Sequence, residues 1–172
     1  MRNFAQGRLA RALIAVFAAA LTVVGTSGLA VAKDDDRGGN TIQAVDTGHG
    51  PRPMRFVGAP GERNPGVYNF TFTNTDMEPH LIAWLKLSDE DASRAQIIAE
   101  IDKLHSADGI GPGKFFTELA GAPVFALPGQ SLPGTEHFTS GRYVYFCPLQ
   151  SSRTAPRHYK LGMLGTTEVE GE

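Results

Sequence analysis

Cysteine is almost absent from this sequence of 172 residues, in which Cys147 is the single thiol. A disulfide within the chain is therefore excluded, and a lone thiol is expected to be free, paired with another chain or bound to a ligand. The chain also lacks the Gly-x-Ser-x-Gly elbow of hydrolases, the His-Glu-x-x-His motif of metalloproteases and the Gly-x-x-x-x-Gly-Lys loop that binds phosphates. A nucleophilic role for Cys147 leaves the proline after it and a downstream methionine unexplained. We therefore expect a protein that is not an enzyme.

Acidic residues are absent from the N-terminus. Residues 1–32 contain three arginines, an apolar run at 12–24 and a final Ala-Val-Ala, which is the pattern of a secretory signal peptide. The apolar run is too short to favour a permanent membrane span, and a retained N-terminal anchor is the alternative. We therefore predict export to the periplasm, the cell surface or the medium, with no stable membrane span after cleavage.

Positive charge is scarce in the rest of the chain. Without the three N-terminal arginines, 13 Lys and Arg stand against 18 Asp and Glu, a formal charge of −5. This balance disfavours binding to nucleic acid. Residues 33–40 are charged and lack apolar side chains, so we predict a flexible acidic lead-in. Residues 41–172 are long enough for one compact domain.

Short apolar or alternating segments, separated by glycine and proline, dominate this domain. Alternation of bulky apolar and polar side chains predicts half-buried strands, and a continuous apolar run predicts a buried one. The predicted strands lie at 42–45 (an edge strand), 54–57, 67–74, 81–87, 124–127, 136–139, 142–146 and 160–169. The segment at 128–134 is rich in turn residues.

One segment between the strands has a different period. Ser88 and the three acids after it predict the beginning of a helix that extends to His105. Residues 115–120 are predicted to form a second short helix or a turn. Many short strands with one helical excursion favour a mainly β fold, an antiparallel Greek-key β-sandwich with a helical insertion.

Four side chains with soft or borderline donor atoms are placed around the predicted strands. Cys147 ends a strand, His158 and Met163 follow it, and His80 stands where a loop enters a strand. Two imidazoles, a thiolate and a weak thioether are the ligands of a blue-copper site, because thiolate and thioether hold Cu(I) while imidazole suits both oxidation states. We therefore predict copper as the cofactor. Taken singly, Cys147 and Met163 also suit a packed core, and His80 suits a hydrogen-bonded strand end.

The same residues resemble those of the cupredoxins, small exported copper proteins of the plastocyanin and azurin type. The resemblance rests on Pro79-His80 after a strand and turn, on the aromatic-rich segment from Gly141 to Cys147-Pro148, and on His158 followed by Gly162-Met163. The chain looks most like poorly described exported cupredoxin-like proteins of bacteria. The resemblance implies a cupredoxin-like fold, with two histidines and the cysteine as equatorial ligands and Met163 as the axial ligand.

The resemblance also implies one-electron transfer, with copper cycling between Cu(II) and Cu(I) and an unidentified redox or copper-handling protein as the partner. Two features depart from the family pattern: ten residues separate Cys147 from His158, and Leu81 stands where many members have an asparagine that braces the copper loop. The long loop favours an alternative function, the storage or delivery of Cu(I) outside the cytoplasm. A third hypothesis is a metal-free binding or structural module in which Cys147 is buried.

Overall fold

The protein is represented by a computed structural model that describes residues 40–48, 50, 53–104 and 115–171. The predicted signal peptide and residues 33–39 of the predicted lead-in lie outside the described residues. The described part contains ten strands and one helix: β1 (Thr41–Asp46), β2 (Met54–Val57), β3 (Glu62–Arg63), β4 (Gly66–Asn74), β5 (His80–Leu87), α1 (Arg94–Leu104), β6 (Phe116–Leu119), β7 (Val124–Ala126), β8 (Ser131–Phe138), β9 (Gly141–Phe146) and β10 (Leu164–Val169). No helix in these ranges has the length and apolar character that crossing a membrane requires.

The strands form two sheets that share an apolar core. The first sheet has the order β2-β1-β4-β8, and the second has the order β3-β10-β9-β5-β6, with β7 also paired to β5. Phe70 and Phe72 of the first sheet meet Trp84 and Tyr143 of the second in this core. The rings of Phe70 and Trp84 are 5.4 Å apart in an edge-on arrangement, which aromatic pairs prefer. The predicted β-sandwich is confirmed.

Strand β5 is apolar along its length because both of its faces are covered. Ile82 and Trp84 belong to the core between the sheets, whereas Leu85 and Leu87 belong to a second apolar cluster that includes the buried side of α1. A strand that is buried on both faces has no solvent side and needs no polar alternation. The helical insertion therefore covers the outer face of the second sheet.

Helix α1 does not begin at Ser88, and that prediction was wrong. The Ser93 hydroxyl lies 3.4 Å from the backbone nitrogen of Gln96, and the Gln96 side chain accepts a hydrogen bond from the Ser93 N–H at 2.9 Å. This reciprocal arrangement is a capping box. Upstream of it, the Asp89 carboxylate accepts a hydrogen bond from the N–H of Asp91 at 3.1 Å, and a local turn of this kind competes with helix formation.

Two further local predictions were wrong. Residues 116–119 form β6, paired with β5, instead of a helix or turn, and β8 begins inside the segment predicted to be turn. Pro133 is accommodated in β8 because this strand is the last of its sheet. Gly134 lies against the ring of Phe70, where a Cβ would be 2.2 Å from the ring Cζ. A glycine inside this strand therefore permits close packing.

The sheets are mixed, and not purely antiparallel as predicted. Strand β1 runs parallel to β4, and β10 runs parallel to β3. Strand β1 also pairs with β2 on its other side, so it is not an edge strand. Strand direction leaves no trace in the alternation of side chains, because that alternation has the same period in parallel and antiparallel strands.

Candidate metal centre

Two neighbouring strands bring His80 and Cys147 to one end of the sandwich. His80 is the first residue of β5, and Cys147 directly follows β9, which pairs antiparallel with β5 through Ala83 and Phe146. The backbone N–H of Leu81 donates to the sulfur of Cys147 over 3.4 Å. Pairing between strands that are distant in the sequence therefore places one imidazole beside the thiol.

The loop between β9 and β10 folds back on Cys147 and carries His158 to the same point. The N–H of His158 donates to the carbonyl of Leu149 at 2.8 Å, and the N–H of Tyr159 donates to the carbonyl of Cys147 at 3.1 Å. At the end of the loop, the N–H of Cys147 donates to the carbonyl of Met163, and the N–H of Met163 donates to the carbonyl of His158. The loop is therefore fastened by its own backbone despite its length.

Three ligand atoms converge from these elements. The Nδ1 atoms of His80 and His158 are 3.1 Å apart, and the sulfur of Cys147 lies 3.5 Å from the Nδ1 of His158 and 3.9 Å from that of His80. A point equidistant from the three atoms lies about 2 Å from each, close to the length of metal–imidazole and metal–thiolate bonds in proteins. All three side chains are buried. The triangle has the size and the donor atoms to hold one metal ion.

The outer ring nitrogen of each histidine faces a carboxylate. The Nε2 of His80 lies 2.7 Å from Oδ2 of Asp76. The Nε2 of His158 lies 3.3 Å from Oε2 of Glu78, in a longer and less well aligned contact. A carboxylate only accepts hydrogen bonds, so it holds the ring proton on Nε2 and leaves the lone pair of Nδ1 free for a metal. Two such lone pairs cannot hydrogen-bond to each other, whereas a cation between them satisfies both.

Burial favours the neutral forms of Cys147 and His158. It raises the pKa of the Cys147 thiol to about 11, against the opposing effect of the N–H groups of Leu81 and Leu149. Burial, followed by the charge of His80, lowers the pKa of His158, and the nearby carboxylates act in the opposite direction. A thiolate at this position therefore needs a cation beside it, and metal binding is expected to release the thiol proton.

The structure brings together three of the four predicted ligands, His80, Cys147 and His158. Met163 is buried immediately before β10, and its backbone is hydrogen-bonded to Cys147 and to His158. Its role as the axial ligand stays a prediction.

Sequence reasoning missed three contributors to this site. The sequence analysis gives Asp76 and Glu78 no role, and the available signal was the presence of two acids at alternate positions before a histidine. Leu81 lacks the side-chain amide expected at its position, yet its backbone N–H contacts the thiol sulfur. A backbone contact of this kind leaves no mark on the sequence.

The protein is a mixed sandwich of two sheets. Its cluster of possible metal ligands combines the start of β5 with the loop between Cys147 and His158, which precedes the last strand. This arrangement agrees with the architecture that the resemblance implies. A two-sheet β-sandwich is the kind of fold that the resemblance to cupredoxins implies. No family model and no curated protein sequence matches the chain.

The solved structures to which this chain is similar include the following three proteins. A dithionite-reduced auracyanin from Roseiflexus castenholzii is 22% identical, with 77% of this chain and 98% of that chain covered and a TM-score of 0.46. Auracyanin A, a blue copper protein from Chloroflexus aurantiacus, is 18% identical, with coverage of 76% and 98% and a TM-score of 0.45. Reduced rusticyanin is 20% identical, with coverage of 77% and 81% and a TM-score of 0.43. These likenesses concern the fold alone.

Proposed function

We propose that this chain binds copper in a type 1 site and carries one electron at a time. The observation that carries the proposal is the triangle formed by Nδ1 of His80, Nδ1 of His158 and the sulfur of Cys147. Two imidazoles and one thiolate in a trigonal arrangement suit copper, and a thioether supplied by Met163 completes the set of ligands. Copper, when bound, supplies the redox chemistry by alternating between Cu(II) and Cu(I).

The surroundings of the ligands support electron transfer over copper storage or delivery. His80 and Cys147 are held by paired strands, and His158 is held by backbone hydrogen bonds at the base of its loop. Ligands that are buried and fastened in this way change little in position when the charge of the metal changes. Delivery of Cu(I) requires ligands that release the ion, and a long loop between Cys147 and His158 is expected to hold them loosely. The backbone hydrogen bonds of this loop argue against such a loose arrangement.

The surface beside the site offers a place for a redox partner protein. Ala126 of β7 pairs with His80, and its neighbours Phe125 and Leu127 are each 46% exposed. Exposed apolar side chains next to a buried redox site favour close approach of a partner. We propose that the protein acts after export, outside the cytoplasm, and that it is a carrier and not an enzyme.

A copper titration followed by visible absorption tests the proposal. The purified wild-type protein is expected to bind one equivalent of Cu(II) and to develop an intense thiolate-to-copper band, because a trigonal copper–thiolate site is blue. Cys147→Ser is expected to abolish the band, whereas His137→Ala, which changes an exposed histidine of β8, should retain it. Tight binding of Cu(I) without the band would support storage or delivery instead. Absence of copper binding would support a metal-free module.

A further inference from the structure

The connection between β4 and β5 carries two carboxylates that contact different histidines of the metal centre. Asp76 contacts Nε2 of His80 at 2.7 Å, and Glu78 contacts Nε2 of His158 at 3.3 Å. We propose that Asp76 and Glu78 act as positioning residues, which turn both imidazoles with Nδ1 toward the metal and stabilise Cu(II) more than Cu(I). This inference rests on the proposed copper site. We call the two residues the outer carboxylates.

The backbone of this connection is built to hold the outer carboxylates in place. The side-chain amide of Asn74, which is fully buried, donates to the carbonyls of Glu78 at 2.7 Å and Ala126 at 3.0 Å. Its carbonyl oxygen accepts a hydrogen bond from the N–H of Asp76 at 2.9 Å. One buried side chain therefore sets the shape of the connection and anchors it to β7, so contacts within the protein hold the backbone that carries the outer carboxylates.

Glu78 also joins the connection to the long loop of the metal centre. Its Oε2 accepts a hydrogen bond from the hydroxyl of Ser151 at 2.6 Å and lies beside the ring of His158. Ser151 belongs to the ten residues between Cys147 and His158. The extra length of this loop thus brings a hydroxyl to Glu78, and the carboxylate connects the two segments that supply the histidines.

The outer carboxylates act on the metal through charge as well as orientation. A carboxylate hydrogen-bonded to the outer nitrogen of a ligating imidazole makes that imidazole more basic and so a stronger metal ligand. Loss of such a partner lowers metal affinity about 10-fold to 100-fold. The effect is larger for the ion of higher charge, so it favours Cu(II). Asp76 is expected to contribute more, because its side chain is 7% exposed and well aligned, while that of Glu78 is 37% exposed and is screened by water.

Measurement of the Cu(II) and Cu(I) affinities by ligand competition, with the reduction potential, tests this inference. Asp76→Asn keeps an acceptor oxygen but removes the charge, so we expect Cu(II) affinity to fall about 10-fold or more, Cu(I) affinity to fall less and the potential to rise. Each 10-fold change in the ratio of the two affinities corresponds to about 59 mV for a one-electron couple. Glu78→Gln should have a smaller effect in the same direction. Glu170→Gln, an exposed substitution with the same change of charge, is the control.

Equal losses of Cu(II) and Cu(I) affinity in Asp76→Asn, or an unchanged potential, would overturn the inference. The orientation of the ring is tested without copper by nitrogen-15 NMR of the metal-free full chain at mildly alkaline pH. We expect His80 to carry its proton on Nε2 in the wild type and in Asp76→Asn, and to lose this preference in Asp76→Ala. A wild-type His80 protonated on Nδ1 would overturn the inference even if copper binds. Failure of copper binding with the expected tautomer would instead refute the copper proposal and leave the positioning role supported. If Asp76→Ala does not fold, the copper affinities of Asp76→Asn and the tautomer of His80 in the wild type still test the positioning role of Asp76.

Discussion

Replacement of Glu136 by glutamine is expected to stabilise the protein at alkaline pH and to change little at acid pH. Glu136 is fully buried in β8, and neither of its carboxylate oxygens has a hydrogen-bond partner among the described residues. It lies opposite Gly121, where a Cβ would be 2.5 Å from the carboxylate. Burial raises the pKa of Glu136 from 4.5 to about 8.

The raised pKa of Glu136 determines the sign and the upper limit of its effect on the free energy of unfolding. Between pH 4.5 and about 8, the unfolded chain has released the proton of Glu136 and the folded chain has kept it, so the free energy of unfolding falls as pH rises. Each pKa unit is worth 1.36 kcal/mol, which gives an upper limit of about 5 kcal/mol over this interval. Glu136→Gln has no proton to release and avoids this loss.

Urea denaturation of the metal-free protein over a series of pH values measures the effect. The difference in unfolding free energy between Glu136→Gln and the wild type should be near zero below pH 4.5, grow as pH rises and level off above pH 8. Subtraction of the two curves cancels the titration of all other groups. Glu170→Gln, in which the altered side chain is exposed, is the control. A difference that stays constant with pH, or a Glu136→Gln variant that becomes less stable relative to the wild type as pH rises, would show that Glu136 does not keep its proton in the folded protein.

Three further substitutions, with a fourth as a control, test the packing of the fold by chemical denaturation. Ser93→Ala removes the cap of α1 and should cost about 1 kcal/mol, whereas Ser88→Ala should cost less than about 0.5 kcal/mol; the reverse order would restore the predicted helix start. Gly134→Ala places a methyl group against the ring of Phe70 and should lower the free energy of unfolding by about 1–3 kcal/mol. An unchanged stability would contradict this packing. Tyr143→Phe removes the hydroxyl that donates to the Glu118 carboxylate at 2.8 Å and should lower the free energy of unfolding by about 1–2 kcal/mol. An unchanged stability would mean that water replaces this hydrogen bond.

The proximity of His80 and Cys147 was predictable because both residues lie at the ends of strongly patterned strands. The apolar run of β5 and the aromatic alternation of β9 place His80 and Cys147 at strand ends, and the resemblance to cupredoxins implies that these ends meet. The pairing of Ala83 with Phe146 produces that meeting. The location of His158 followed less directly, because the path of its loop depends on backbone hydrogen bonds that any residue can make.

The features that escaped prediction depend on competition between local signals or on tertiary contacts. Ser88 and Ser93 both precede helix-forming residues, and the choice between them depends on a turn at Asp89 and on the Gln96 side chain. Strand β8 contains a proline and a glycine that suit a turn, yet an edge position and the ring of Phe70 accommodate them. The roles of the outer carboxylates depend on which side chains the folded chain places beside them.

The most direct test of the proposed copper site is the anomalous X-ray scattering of a crystal of the copper-loaded protein. We predict a single strong copper peak about 2 Å from Nδ1 of His80, Nδ1 of His158 and the sulfur of Cys147, with Met163 as a longer contact. A copper ion bound elsewhere on the protein, with these three side chains uncoordinated, would rule out the proposed site.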